Sequence, residues 1–150
     1  MALTWPIQKK GSSGEPVRSV QYLLRQAGSN VVVDGVFGAK TETAVKAFQT
    51  AKHLTADGIV GNKTWPVLIV TVRRGSKGEA VKAVQSQNNF GNQSDDPTLG
   101  LAIDGIFGPK TEAWVRGYQT ALHAGDPSVV VDGIVGPVTW NNLVREVLSG

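Results

Sequence analysis

The chain has no cysteine among its 150 residues. That excludes disulfides, thiolate metal sites and a cysteine nucleophile. Histidine is nearly as scarce, with only His53 and His123. A catalytic zinc site needs three protein ligands and an open position, and no spacing here supplies one. No Gly-x-Ser-x-Gly elbow and no Asp-x-Asp-x-Asp calcium loop occurs. A glycosidase needs two carboxylates flanking a cleft. The obvious pair, Glu15 and Glu79, falls at two helix starts, where capping accounts for it. The expectation is a chain without catalytic residues, metal or cofactor.

Long apolar runs are also missing. The longest is Val67-Leu68-Ile69-Val70, the length of a core segment and far short of a membrane span. Charge of one sign is weak. Net charge is +3. Residues 1–70 carry 8 basic and 4 acidic groups; residues 71–150 carry 7 and 8. So scattered a balance leaves no nucleic-acid footprint. The first residues lack the basic-then-apolar pattern of a signal peptide.

Glycine is plentiful, 18 in all, and it is periodic. Asp34-Gly35-Val36-Phe37-Gly38-Ala39-Lys40-Thr41-Glu42 returns as Asp104-Gly105-Ile106-Phe107-Gly108-Pro109-Lys110-Thr111-Glu112. A shorter relative, Asp-Gly-Ile-Val-Gly, occurs at Asp57 and again at Asp132. Each of the four has a Thr three residues past its second Gly. Such self-similarity governs the fold. The pattern reads as a turn feeding a helix. Gly after Asp takes φ > 0, the carboxylate folds back onto nearby N–H groups, and the second Gly is an N-cap. Pro109 and Pro137 then fall at first helical positions. Thr and Glu in the first turn suit its exposed N–H groups. Phe37 and Phe107 should anchor the loops in a core.

Three helices per half follow. In the first half they span about Glu15–Ala27, Ala39–Lys52 and Asn62–Ile69. Val17, Val20, Leu24 and Ala27 are spaced to face inward on the first. Ala44, Val45 and Phe48 do so on the second, and Trp65 and Leu68 on the third. The basic turn Lys9-Lys10-Gly11-Ser12 matches Arg73-Arg74-Gly75-Ser76, 64 positions on. Six residues enter the second half after its first helix and five after its second, in Asn88–Leu101 and Ala124–Val131; both read as loops. Trp114 stands where the first half has Ala44, Asn88 where it has Leu24, and Tyr118 where it has Phe48. Phe90 and Trp114 either fill the space Asn88 leaves, or Trp114 faces the other half or a ligand. Almost no linker separates the halves, so close coupling is expected.

Gln21, Gln49, Gln85 and Gln119 each follow an inward helix position. A half-buried Gln can brace loop backbone or bond a ligand amide; both readings stand, and Gln21, Gln49 and Gln119 are carried as ligand candidates. Tyr22 lies off the inner positions and offers an exposed platform. Leu23 shares that face, or widens the core. Lys9, Lys10, Arg25, Arg73 and Arg74 offer cations to an anionic ligand. His53 and His123 occupy the same place at the end of the second helix, where the dipole favours them.

Gly14…Val17-x-x-Val20-Gln21-x-x-Leu24…Gly28, Asp34-Gly35-x-Phe37-Gly38-x-x-Thr41-x-x-Ala44-Val45-x-x-Phe48-Gln49 and Asp57-Gly58-Ile59-Val60-Gly61-x-x-Thr64-Trp65-x-x-Leu68 resemble the peptidoglycan-binding domain of bacterial and phage wall hydrolases. The second half matches less fully. The resemblance implies an all-α protein of two tandem closed three-helix bundles, residues 1–70 and 71–150. It implies non-catalytic binding of bacterial peptidoglycan through stem-peptide or glycan contacts. A monomer is expected, extracytoplasmic and wall-associated, with no membrane insertion and no nucleic-acid partner. The other class of function is an assembly module that reuses the fold.

Overall fold

A computed structural model describes residues 3–91 and 102–147. Its helices are α1 (Glu15–Gln26), α2 (Ala39–Ala51), α3 (Trp65–Leu68), α4 (Glu79–Gly91), α5 (Pro109–Gly125) and α6 (Pro137–Val144). Among the described residues the only β features are four isolated bridges. The segment from Asn88 to Leu101 is described only as far as the helical backbone reaches, to Gly91. The expected loop there, and the packing of Asn88 and Phe90, lie outside the described residues.

Local chemistry sets the ends of α1. Gly14 precedes it at φ 113, and Pro16 occupies its first turn. At the other end Gly28 sits at φ 106. Gly28 N–H donates to Arg25 O (3.0 Å) and Ser29 N–H to Leu24 O (3.0 Å), the paired bonds of a Schellman motif. Helix α2 ends the same way, but with His53 in the left-handed position at φ 60. His53 N–H donates to Thr50 O and Leu54 N–H to Gln49 O. His53 and His123 therefore differ. His123 lies inside α5, and its Nδ1 is 2.8 Å from Val129 O. Part of the five-residue insertion extends α5 through Gly125 instead of forming loop alone. Helix α3 is shorter than its periodicity suggests, because Gly61 to Thr64 form turns before Trp65.

Val17, Val20, Leu24, Phe37, Val45, Phe48, Trp65 and Leu68 are buried, and Ala27 is exposed. An extended segment closes the first half. Trp5 stacks on Trp65 at 5.8 Å, Trp65 Nε1 donates to Pro6 O (2.7 Å), and Gln8 bridges to Val60. Residues 69–72 repeat this for the second half. Trp140 Nε1 donates to Val70 O (2.8 Å), and Val72 bridges to Val135. That segment begins directly after α3, so nothing acts as a linker.

The halves share one hydrophobic cluster, and its seam is α1 against α4. The start of α1 meets the far part of α4, and its end meets the start of α4, so the pair is antiparallel. Ala80 and Ala83 are fully buried and let the backbones approach. The seam is also polar. Ser86 Oγ donates to Glu15 Oε1 (2.7 Å), and Gln87 Nε2 donates to Ser19 Oγ (2.9 Å). Arg25 Nε pairs with Glu79 Oε2 at 3.3 Å, and Ala80 N–H donates to Gln26 Oε1 at 3.0 Å. Glu15 is thus a seam residue 5% exposed, not a helix cap. Burial pushes its carboxyl up to about 7, Glu146 adds to the shift, and Ser86 and Arg18 oppose it. Among the described residues no hydrogen bond reaches Glu15 Oε2.

Candidate functional site

Four buried glutamines organise the four Asp-Gly loops. Gln49 is 1% exposed. Its Nε2 donates to Asp57 Oδ1, Ile59 O and Thr64 Oγ1, each at 3.0 Å, and its Oε1 accepts from Gly58 N–H at 3.0 Å. Gln21 does the same with Asp34, Val36 and Thr41 and accepts from Asp34 and Gly35 N–H. Gln85 holds Asp104, Ile106 and Thr111. Gln119 holds Asp132, Ile134 and Thr139. Each Asp also accepts from the N–H two residues on. That backbone bond is the largest influence holding Asp34, Asp57 and Asp104 below the usual carboxylate range. The motif threonines are buried partners of these amides, so they serve the brace and not the helix N–H groups.

This corrects one expectation. Both ends of the Gln21, Gln49 and Gln119 amides are consumed inside the protein, and no surface is left for a ligand. Tyr22 is corrected too. It is half-buried against the core at the α1–α4 seam, where burial raises its phenol pKa and the nearby charges are Glu15, Arg18, Glu79 and Lys82. Leu23, beside it, is buried. Arg25 is committed to Glu79 and to Val31 O at 3.0 Å.

The basic pairs remain on the surface. Lys9 N–H donates to Ser12 Oγ and Arg73 N–H to Ser76 Oγ, one turn used twice. Gly11 N–H ties the first of these turns to Phe37 O, and Gly75 N–H ties the second to Phe107 O. Gln8, one residue before Lys9, bridges to Val60 in the other loop. Lys9 and Lys10 thus stand between two braced loops. Arg74 also meets Glu112 at 3.4 Å.

Behind the second loop of each half the brace supports an open groove. The first, about 340 Å³, is lined by Leu54, Thr55, Asp57, Ile59 and Gly61 to Thr64. The second, about 220 Å³, is lined by Ser128 to Val130, Asp132, Ile134 and Gly136 to Thr139. A third, about 420 Å³, runs between the end of α1 and α2 over Leu24, Ala44, Phe48 and Lys52. In the second half, Trp114 occupies the position of Ala44 and stacks on Tyr118 at 5.4 Å, packed on the core. Tyr118 Oη donates to Val147 O. The groove residues were overlooked in the sequence because they fall in the unspecified slots of the motif. The available signal was the contrast of Asn62-Lys63 with Pro137-Val138. Among the described residues no group of three His, Asp or Glu is placed to hold a metal. No helix among them is long and apolar enough to cross a membrane.

The fold and its loops define a repeated three-helix module in which a buried amide shapes each loop. The profile of the peptidoglycan binding domain family matches residues 13–68 and 77–143, and the chain belongs to that family. It resembles the non-catalytic part of wall amidases. A zinc D-Ala-D-Ala carboxypeptidase of Streptomyces albus G is 44% identical over 59 residues, covering 37% of this chain and 23% of the enzyme. A probable N-acetylmuramoyl-L-alanine amidase of Bacillus licheniformis is 32% identical over 157 aligned positions, covering 89% of this chain and 43% of the amidase. A solved structure of a peptidoglycan-binding protein from Clostridioides difficile, in complex with glutamine hydroxamate, is 44% identical over 42% of this chain and 40% of that one, with a TM-score of 0.42. The chain thus spans less than half the length of these proteins.

Proposed function

We propose that residues 1–70 and 71–150 are two wall-binding units without catalytic residues, acting outside the cytoplasm as the targeting part of a wall hydrolase. Contact is with stem peptide and glycan. The observation that supports this reading best is the repeated braced loop carrying an open groove beside an exposed basic turn. Binding rests mainly on the first half, where Lys9 and Lys10 flank both loops and the charge balance is positive. Arg73 and Arg74 play the lesser role. The working form in this reading is a monomer, with the two halves joined along the α1–α4 seam.

Sedimentation of pure protein with insoluble peptidoglycan sacculi, with chitin as control, tests the reading. Charge reversal at Lys9 and Lys10 should weaken binding a few-fold and flatten its salt dependence, since exposed charges contribute roughly 0–1 kcal/mol each. Absence of sedimentation would reject it, and so would sacculus clearing by this chain that a single substitution abolishes.

A further inference from the structure

The two second-loop grooves share a scaffold and differ in chemistry. In the first half Gln49 fixes Asp57, Ile59 and Thr64 from behind, so the walls are pre-formed. Asp57 uses Oδ1 for that brace and for Ile59 N–H. Among the described residues nothing bonds its Oδ2. Asn62 Oδ1 accepts from Trp5 N–H at 2.8 Å. A backbone donor must meet an oxygen, so the orientation of this amide is fixed and its Nδ2 is left to donate. Lys63 is exposed and lines the same groove, where its charge acts on Asp57 without closing a salt bridge to a described residue. The groove therefore offers two donors, one of them cationic, and one anionic acceptor. In the second half Pro137 and Val138 take the places of Asn62 and Lys63, and both donors are gone.

We propose that the first-half groove seats the zwitterionic amino-acid end of a peptidoglycan stem peptide, its carboxylate at Lys63 and Asn62 and its ammonium at Asp57 Oδ2. This assignment rests on the wall-binding reading above. A diaminopimelate side chain ends in such a free carboxylate and ammonium, and preorganised donors lower the cost of holding it. The low-lying carboxyl of Asp57, held down first by Ile59 N–H, keeps the acceptor ionised. The second groove keeps Asp132 but is rimmed by Val130 and Val138, 67% and 46% exposed, and holds no cation. It does not take the carboxylate.

The test uses the whole ¹⁵N-labelled chain and a disaccharide-tetrapeptide bearing meso-diaminopimelate. Free meso-diaminopimelate and the side-chain-amidated muropeptide run in parallel. Amide shifts should move in Thr55 to Thr64 and leave Val130 to Thr139 in place. Lys63→Val should weaken muropeptide binding about three- to fivefold, within the range for exposed charge pairs. Amidation should cost as much, and Lys63→Val should cost nothing further against the amidated ligand. Val138→Lys should add affinity in the second groove. Shifts confined to the α1–α2 groove, a response to free diaminopimelate alone, or an unchanged Lys63→Val would overturn the assignment. If sacculus sedimentation persists in those cases, the wall-binding reading survives; if wild type fails to sediment, both fall.

Discussion

Glu15→Gln should stabilise the protein above neutral pH and leave it unchanged in acid. The carboxyl is buried in the α1–α4 seam, with Ser86 bonding one oxygen and, among the described residues, no hydrogen bond to the other. Arg18 is 3.9 Å away, and Glu146 opposes ionisation. The folded group titrates near 7 against 4.5 when unperturbed. Below about pH 4.5 both states hold the proton, and ionisation costs nothing. Between about 4.5 and 7 the unfolded chain has ionised while the folded chain keeps its proton, so stability falls as pH rises. Above about 7 the folded group ionises and the loss is complete. At about 1.36 kcal/mol per pKa unit the loss is on the order of 3 kcal/mol. Glutamine keeps an acceptor for Ser86 and carries no charge. At roughly 2–4 °C per kcal/mol for a chain of this size, the variant should melt about 6–12 °C higher at pH 8 and within about 2 °C of wild type at pH 4. Thermal unfolding of both proteins from pH 4 to 8.5 measures this. A pH-independent difference, or a variant less stable at pH 8, would refute the argument and show that Arg18 stabilises an ionised Glu15.

His53→Gly should raise stability by roughly 0.5–1 kcal/mol, because glycine occupies φ 60 without the steric cost a side chain meets there; denaturant melts read it directly. Gln49→Ala should cost about 3 kcal/mol or more, since it strands Gly58 N–H and the amide's other loop partners in one step. Amide exchange should then rise first in the loop from Asp57 to Thr64. Gly105→Ala should cost about 1–3 kcal/mol: φ is 75 and the added Cβ would sit 3.2 Å from Gly78 O. Chelator should leave the melting temperature unchanged, because the Asp-Gly loops are held by amides; a drop of several degrees would place a cation in them.

The repeat, the starts of α1 and α2 and most of their inner faces were legible in the chain because they follow from local rules. Glycine after aspartate takes φ > 0, and apolar residues at 3.6 spacing bury one face. The Asp-Gly-x-x-Gly-x-x-Thr pulse located all four loops, and the resemblance it carried identified the family. The glutamines were visible as residues of interest, but bracing and ligand contact need the same side chain. Only burial, and five contacts that saturate the amide at both ends, decided for the brace. Tyr22, Arg25 and Glu15 looked like surface residues of one half, since helical periodicity reports the core of the unit that contains the helix. The seam between α1 and α4 is a contact between positions such as Ser19 and Gln87 that lie 68 residues apart. Nothing local encodes it. The same holds for the groove: Asn62 and Lys63 fill unspecified motif slots, and their chemistry has meaning only once Gln49 has set the loop and Trp5 has fixed the amide in space.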